Sequence, residues 1–408
     1  MIRAGLGTYY LARKPERRTF VKRKAISFHD RLRSRRALAV LLGTISLVAG
    51  CVFQTSARRG TAERVQWIDV HAHPVGGRGA YTDYASAVKA AVSVMEESGI
   101  AKMVLMAPPQ PPGTPPPFDF ESFAAVAKLY GSRFAFLGGG GSLNPMIQQA
   151  GRHATIDDHL RKRFEERAAE ILQAGAVGFG EITAHHLSLL SGHPYESVPA
   201  DHPLLLLLAD IAARHEVVID FHFDPVVEEM KAPDWLASPP NPAVFHANLA
   251  AFERLLEHNR RAKIVWAHAG SDQLGQWNVP LSRKLLEKHP NLYMSLRMAP
   301  ARAPQNHPLT PDEQLKSEWL QLLSDFSDRF VIGGDQFFAA AGIGQGPGTN
   351  FAQRARGIRQ RTNMFLAALP ESLARKIGYD NAMRLYKPKN KWDGRNRAST
   401  GKRRGAAR

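Results

Sequence analysis

The chain has 408 residues, of which 44% are hydrophobic, so it is long enough for one large globular domain or two of medium size. Its formal net charge of +17 lies in the two ends, since residues 1–36 carry twelve Lys or Arg against two acids and residues 387–408 carry nine against one. The remaining body has a net charge near −1, which argues against a nucleic-acid enzyme and favours a small-molecule substrate.

The N-terminal segment, residues 1–50, is typical of an export signal. A basic stretch precedes the apolar run 37–50, which is shorter than the about 20 residues that a membrane-spanning helix needs. This run leads into Leu47-Val-Ala-Gly-Cys51, and Cys51 is the only cysteine. The run resembles a bacterial lipobox, which implies that Cys51 is lipidated and anchors the exported protein to the periplasmic or extracellular side of a bacterial membrane. Residues 34–38 resemble a twin-arginine export signal, with a generic basic region as the alternative.

The body of the chain, residues 65–386, alternates short apolar runs with longer amphipathic segments, a pattern that predicts βα units and a parallel sheet. Strands are predicted near residues 66–72, 101–107, 133–139, 176–181, 217–222, 263–268, 291–296 and 329–335. Helices are predicted over residues 84–97, 120–130, 156–174, 203–214, 242–258, 280–288, 311–326 and 350–368. The alternation predicts an α/β fold, a (β/α)8 TIM barrel. Residues 51–64 are predicted to be a short tether and residues 387–408 a disordered basic tail.

Two histidines end the first predicted strand, in the run Trp67-Ile-Asp-Val-His71-Ala-His73. Residues i and i+2 of a strand point to the same face, so both imidazoles can contact one metal ion. Four later apolar runs also end in a residue type that binds metals: Glu181, His222, His268 and Asp335. Because the carboxyl ends of barrel strands converge on one mouth, the sequence predicts a metal site there.

These side chains form a nitrogen and oxygen ligand set without thiolate: His71, His73, His222, Asp335 and, as a further candidate, Glu181. Such a set suits Zn²⁺, with Mn²⁺, Fe²⁺ or Ni²⁺ as alternatives. A divalent ion open to solvent lowers the pKa of bound water to about 7. Asp335 is the candidate proton acceptor, which can pass the proton to the leaving group. His268 could bind a second ion or polarise the carbonyl oxygen of the substrate.

The order of these residues resembles the amidohydrolase superfamily, specifically the amidohydrolase-2 branch that includes aminocarboxymuconate-semialdehyde decarboxylase-like proteins. That pattern has H-x-H on strand one, His on strands five and six and Asp on strand eight, which matches His71, His73, His222, His268 and Asp335. Residues 376–386 resemble the terminal helix of the family, and the resemblance covers residues 65–386. It implies a metal-dependent TIM-barrel enzyme.

The end of the fourth predicted strand departs from part of that superfamily. Members with a carboxylated lysine between two ions carry Lys there, whereas this chain has Gly180-Glu181-Ile182. A glutamate at this position resembles the deoxyribonuclease-like branch, which implies that Glu181 bridges two ions. The alternative is that Glu181 orients a ligand imidazole, so that one or two ions are expected.

Further side chains near the predicted mouth have alternative interpretations. Arg297 is a candidate for binding a substrate carboxylate through two parallel hydrogen bonds, with a surface ion pair as the alternative. His185 is a candidate for substrate contact, although loop histidines are often only solvated. Asp69 is either a partner of a ligand imidazole or a buried group bonded to backbone, and Asp272 either orients His268 or caps a turn.

These features predict a metal-dependent hydrolase that cleaves a C–N bond, or an ester or lactone bond, in a small molecule. A non-oxidative decarboxylase is the alternative within the same family. A lipid-anchored binding or scaffold protein without catalysis is the alternative from another class. No nucleic-acid partner is expected, because the net positive charge lies in the two ends and not in the body.

Overall fold

Eight parallel strands form the centre of the molecule, and a computed structural model describes residues 66–77, 82–114, 118–151, 155–189, 193–343 and 351–387. The strands are β1 Trp67–Val75, β2 Ile100–Leu105, β3 Phe134–Phe136, β4 Gly178–His186, β5 Val218–Phe223, β6 Lys263–Ala269, β7 Leu292–Leu296 and β8 Phe330–Ile332. They are hydrogen-bonded in the order β3-β2-β1-β8-β7-β6-β5-β4. All eight predicted strands are therefore confirmed.

The sheet closes on itself at β3. The amide of Leu137 donates to a β2 carbonyl at 2.9 Å, and the carbonyl of Phe136 accepts from the amide of Val177 at 2.9 Å. The next residues, Gly138–Gly139, pair in parallel with β4. Residues 134–139 are thus bonded to β2 on one side and to β4 on the other, which completes the predicted (β/α)8 barrel.

Helices surround these strands. They are α1 Tyr84–Ser98, α2 Ala124–Lys128, α3 Leu143–Ala150, α4 Asp158–Gln173, α5 Pro203–His215, α6 Leu249–His258, α7 Val279–Lys288, α8 Ser317–Asp325, α9 Phe351–Ala368, α10 Glu371–Arg375 and α11 Asn381–Leu385. Short 3₁₀ turns cover Phe120–Ser122, Gly131–Arg133 and Pro304–Asn306, and a π-helical turn covers Lys376–Asp380. Local sequence sets some of the ends, since the Asp83 carboxylate caps α1 by accepting from the amide of Ser86 at 2.8 Å.

Two helices begin later than predicted, because the proline predicted as the first residue of each lies in a non-helical segment before it. α6 begins at Leu249 and not at Pro242, because Val244–Phe245 pairs in an antiparallel ladder with Met230–Lys231. α8 begins at Ser317, and Pro311 lies in a turn between the bridged residues 309 and 315. The fixed φ of proline suits the first residue of a helix and also turns and extended segments, so proline alone does not locate a helix start.

The region between β2 and α4 also differs from the prediction. The helix predicted over 120–130 is a 3₁₀ turn followed by the five residues of α2. The helix α3 lies where the sequence predicts none, and its Pro145 stands in the first turn, where a missing amide costs no hydrogen bond.

The barrel has an inner and an outer apolar layer, as alternation along a strand requires. On β2, Met103 and Leu105 belong to the cluster under the helices, whereas Val104 belongs to the cluster inside the barrel. The inner cluster includes Tyr386 at the end of α11, and Asn381 donates to the carbonyl of the first β8 residue at 2.9 Å. The terminal helix therefore covers the amino ends of the strands and leaves the carboxyl ends for a site.

Several sequence predictions lie outside the described residues: the export signal in residues 1–50, Cys51, the tether in residues 51–64 and the tail from residue 388. Within the described part of the chain, no helix combines the length and the apolar character that crossing a membrane requires. The leucine-rich run 204–208 belongs to α5, where Leu204, Leu205 and Leu208 are buried.

Candidate metal centre

Six ligand-type side chains meet at the carboxyl ends of the strands: His71 and His73 on β1, Glu181 on β4, His222 on β5, His268 on β6 and Asp335 just after β8. These are the six residues that the sequence assigns to the mouth of the barrel. Their donor atoms form two groups that share the carboxylate of Glu181.

The first group contains Nε2 of His71, Nε2 of His73, Oε2 of Glu181 and Oδ1 of Asp335. The two Nε2 atoms are 3.1 Å apart, and Oε2 of Glu181 lies 3.4 Å and 3.5 Å from them. Oδ1 of Asp335 lies 3.2 Å from Nε2 of His73 and 4.0 Å from Nε2 of His71. Ligands of a tetrahedral ion, at about 2.0–2.2 Å from it, are about 3.3–3.6 Å apart, which is close to these spacings. His71, His73 and Asp335 could together hold one metal ion.

The second group contains Oε1 of Glu181, Nδ1 of His222 and Nε2 of His268. Nδ1 of His222 lies 2.8 Å from Oε1 of Glu181. Nε2 of His268 lies 3.2 Å from the same oxygen and 3.1 Å from Nδ1 of His222. Glu181 thus offers one carboxylate oxygen to each group.

The position of His222 differs from the prediction, which put it in one ligand set with His71 and His73. Its ring nitrogens contact Glu181, His268 and Asp224 instead. The reason is the order of strands in the barrel, because β5 pairs with β6, whereas β1 pairs with β2 and β8.

Both histidines of β1 have an acceptor behind the ring. Nδ1 of His71 lies 3.1 Å from Oδ1 of Asp220, within ion-pair range although not aligned for a straight hydrogen bond. Nδ1 of His73 lies 3.1 Å from the carbonyl oxygen of Met106. An acceptor at Nδ1 keeps the proton there and leaves the lone pair of Nε2 directed at a metal.

Asp224 is the acceptor behind His222 and also binds the loop that follows β4. Its Oδ2 lies 3.2 Å from Nε2 of His222 and accepts from the amide of Leu187 at 3.0 Å. His268 differs, since its buried Nδ1 has no hydrogen-bond partner among the residues that the structure describes. Burial lowers the pKa of His268 to about 4, which keeps this imidazole neutral.

The two carboxylates of the cluster are held in the ionised state that binds a cation. Burial alone would raise the pKa of Glu181, but the charge of His71 and hydrogen bonds from neighbouring imidazoles lower it well below its usual range. Burial also opposes ionisation of Asp335, yet the charge of Arg297 lowers the pKa of that carboxyl below its usual range.

A buried carboxylate fixes the turn that carries Asp335. Asp69 accepts from the amide of His71 at 3.1 Å, from the amide of Gly334 at 2.8 Å and from Nε2 of Gln336 at 2.6 Å. Burial raises the pKa of Asp69 to about 6. Of its two predicted roles, the structure shows the second, a buried group bonded largely to backbone.

Two residues of the cluster have a backbone conformation that side chains disfavour. His268 has a φ of 73° and Asp335 a φ of 48°, both in the left-handed region. Such residues cost about 1–3 kcal/mol each and cluster at functional sites, where the surrounding structure holds them.

Arg297 lies in the cluster, but its contact differs from the predicted one. Its Nη2 is 2.8 Å from Oδ2 of Asp335, and its buried Nε has no hydrogen-bond partner in the described part of the chain. The guanidinium therefore orients a candidate ligand in this structure. Binding of a substrate carboxylate by Arg297 stays a prediction.

His185 and Asp272 form hydrogen bonds with loop residues, although His185 itself lies in β4 and not in a loop as predicted. Nδ1 of His185 contacts the carbonyl of Asp224 at 2.6 Å, and Nε2 lies 3.3 Å from the hydroxyl of Tyr195. These contacts give no support to substrate binding by His185, which stays a prediction. Asp272 accepts from the amide of Trp277 at 3.0 Å and so caps a turn, the second of its predicted alternatives.

Sequence reasoning missed Asp220 and Asp224, although the signal is present. They stand two residues before and two residues after His222, in the spacing Asp-x-His-x-Asp. Residues at this spacing on a strand share a face, so carboxylates beside a candidate ligand imidazole could have been expected.

Removing the carboxylate behind His71 tests its role. We expect Asp220→Asn to weaken Zn²⁺ binding by about 10–100-fold, because the imidazole loses the charge that holds its proton on Nδ1. Competition with a chromogenic chelator measures the affinity. The matched control is Asp210→Asn, which removes a carboxylate 3.0 Å from Nε2 of His258 on the helical surface. Equal affinities of the two variants would contradict the role of Asp220.

The part of the chain that forms the barrel is similar to known proteins. A family model described as Amidohydrolase matches residues 68–387, more than half of the chain. No curated protein matches the chain in sequence. Similar solved structures include dihydroorotase from Saccharomyces cerevisiae in complex with 5-fluoroorotic acid, with 12% sequence identity and a TM-score of 0.46 over 80% of this chain and 85% of that chain.

Two further solved structures are similar at the same low level. One is L-hydantoinase (dihydropyrimidinase) from Arthrobacter aurescens, with 13% identity and a TM-score of 0.42 over 78% of this chain and 70% of that chain. The other is the phosphotriesterase homology protein from Escherichia coli in complex with phosphate, with 10% identity and a TM-score of 0.41 over 80% of this chain and all of that chain. Since the family match spans all eight strands of the barrel, the chain belongs to the amidohydrolase family of enzymes.

Proposed function

We propose that this enzyme is a hydrolase that uses divalent metal ions to cleave a C–N bond, or an ester or lactone bond, in a small molecule. The observation that carries the proposal is the position of Glu181, whose two carboxylate oxygens contact two separate groups of imidazoles. The near-neutral charge of the body supports a small substrate over a polyanion.

The charges around the cluster favour bound cations. Four carboxylates contact its imidazoles: Glu181, Asp220, Asp224 and Asp335. Within the described residues, Arg297 is the one Lys or Arg that forms an ion pair with them. Burial opposes protonation of His71 and His222, yet the neighbouring carboxylates raise the pKa of both, that of His222 to about 10, so protonated imidazoles balance part of this negative charge until cations replace those protons. We expect two ions, with Zn²⁺ favoured by the nitrogen and oxygen donors and Mn²⁺, Fe²⁺ or Ni²⁺ as alternatives.

Residues of the chain supply proton transfer and hold the ligand groups in place. When bound, such ions lower the pKa of water to about 7 and polarise the bond that is cleaved. Asp335 accepts the proton of the attacking water and donates it to the leaving group, while Arg297 fixes its outer oxygen Oδ2. His268 serves in the second ligand group, because its Nε2 is directed at Glu181 and His222.

The bridging role of Glu181 predicts how many ions each variant holds. Wild-type protein, stripped with a chelator and reloaded with Zn²⁺, should retain about two equivalents by elemental analysis. His222→Ala removes a ligand of the second group only and should retain about one equivalent. His159→Ala, at an exposed position on α4, is the control and should match wild type. About one equivalent in wild type would rule out the second ion, and about two equivalents in His222→Ala would rule out His222 as its ligand.

The proton-transfer role of Asp335 predicts the kinetic result. Against a panel of cyclic amides, N-acyl amino acids, aryl esters and lactones, we expect hydrolytic products from wild type. Asp335→Asn should lower kcat by about 10²–10⁴-fold and leave the melting temperature close to that of wild type. Retained turnover would refute the role. Release of CO2 in place of a hydrolytic fragment would favour the decarboxylase, and absence of both bound metal and turnover would favour a scaffold.

We also propose that the enzyme is exported and anchored to a bacterial membrane through a lipid on Cys51. Support comes from the basic segment, the apolar run and the lone cysteine that follows it. In a bacterial host that processes lipoproteins, we expect full-length protein in the membrane fraction and Cys51→Ser in the soluble fraction. Continued membrane association of the Cys51→Ser variant would count against lipidation.

A further inference from the structure

A row of buried polar side chains connects helix α9 with the turn that carries Asp335. Nη1 of Arg359, on α9, donates to Oε1 of Gln336 at 2.9 Å. Nε2 of Gln336 in turn donates to Oδ2 of Asp69 at 2.6 Å. All three side chains are buried, and the residue of Arg359 is 6% exposed. The family pattern and the proposed mechanism give no role to Arg359 or Gln336.

Asp335 lies between two residues that Asp69 holds. The amide of Gly334 donates to Oδ1 of Asp69 at 2.8 Å, and the side chain of Gln336 donates to Oδ2. The packing is close, since a Cβ on Gly334 would lie 2.5 Å from Nε2 of Gln336 and 2.7 Å from Oδ2 of Asp69. One carboxylate therefore holds the residue before Asp335 and the residue after it. These contacts maintain the turn in which Asp335 has its disfavoured φ of 48°.

Arg359 determines which way the side-chain amide of Gln336 faces. A guanidinium only donates hydrogen bonds, and an ionised carboxylate only accepts them. Oε1 of Gln336 must therefore face Arg359, and Nε2 must face Asp69. The reversed amide would leave both charged neighbours without this hydrogen bond in a buried site, which is unfavourable. The contact with α9 thus fixes the donor that Asp69 receives from Gln336.

We propose that Arg359 is a positioning residue for Asp335, which acts through Gln336 and Asp69 to hold the Asp335 carboxylate at the first ligand group. That position is shown by the 3.2 Å between Oδ1 of Asp335 and Nε2 of His73. The inference rests on the proposed metal-dependent function, because this position matters for ion binding only if Asp335 is a ligand. Without the row, the turn can relax toward a favoured backbone conformation and withdraw the carboxylate.

Two variants of Arg359 and one control separate this role from general support of the fold. Arg359→Met removes the guanidinium and keeps a long side chain, whereas Arg359→Lys keeps the charge and one donor group. The control is Asn363→Ala. Oδ1 of Asn363 accepts from Nε1 of Trp67 at 3.0 Å, so this change also removes a hydrogen bond between α9 and β1, but one that does not lead to Asp335.

Competition with a chromogenic chelator measures the Zn²⁺ affinity of each protein. We expect Arg359→Met to weaken Zn²⁺ binding by about 10-fold and Arg359→Lys to weaken it less. Asn363→Ala should lower the melting temperature and leave the Zn²⁺ affinity as in wild type. In the Asp335→Asn protein, Arg359→Met should weaken Zn²⁺ binding no further, because a residue that acts through Asp335 has no effect once that carboxylate is gone.

Equal losses from Arg359→Met in the wild-type and Asp335→Asn proteins would show that Arg359 supports the fold in general, and would overturn the inference. So would wild-type affinity in Arg359→Met, or an equal loss of affinity in Asn363→Ala. If Arg359→Met does not fold, Gln336→Glu takes its place under the same criteria. It keeps an acceptor for Arg359 and loses the donor to Asp69.

Failure of the proposed function would be seen first. If Asp335→Asn alone binds Zn²⁺ as tightly as wild type, the proposed ligand role of Asp335 fails, and this inference fails with it. That outcome is distinct, because it is observed before any variant of Arg359 is compared.

Discussion

The buried carboxylate of Glu181 is surrounded by imidazoles, and this contact constrains how the strand ends are arranged. Glu181 is 3% exposed, and its oxygens lie within 3.5 Å of ring nitrogens of His71, His73, His222 and His268. A carboxylate so far from water is unstable unless positive charge balances it. The barrel brings the four imidazoles to it because β1, β5 and β6 all end at the same mouth. Bound cations would satisfy the carboxylate and the imidazoles together.

The two ends of the barrel serve different needs. At the amino ends of the strands, Tyr386 and its neighbours on α11 complete an apolar core. At the carboxyl ends, Asp69 bonds β1 to the turn after β8 and thereby sets the spacing between His71 and Asp335. The apolar end stabilises the fold, whereas the polar end maintains a costly arrangement of charges and strained backbone that stability alone would not favour.

Much of the architecture could be predicted, because buried parallel strands are continuous apolar runs and helices have amphipathic faces. Helix starts were predicted less accurately, since Pro242 and Pro311, the predicted first residues of two helices, lie in non-helical segments. The six ligand-type residues could be named from their places at strand ends. Their division into two ligand groups could not be predicted, because it depends on which strands are neighbours around the barrel. Contacts with loop residues, such as the bonds of His185 to Asp224 and Tyr195, could not be predicted either.

One carboxylate oxygen of Asp224 contacts both a ligand imidazole and the backbone of a loop at the mouth. Oδ2 of Asp224 lies behind His222 and also accepts a hydrogen bond from the amide of Leu187, at the start of the loop that follows β4. A change of loop sequence that shifts this amide also disturbs the acceptor of a ligand imidazole. Selectivity and ion retention would therefore evolve together in this chain. Redesign of the loop for a new substrate would have to preserve the backbone at residue 187, whatever side chains it replaces.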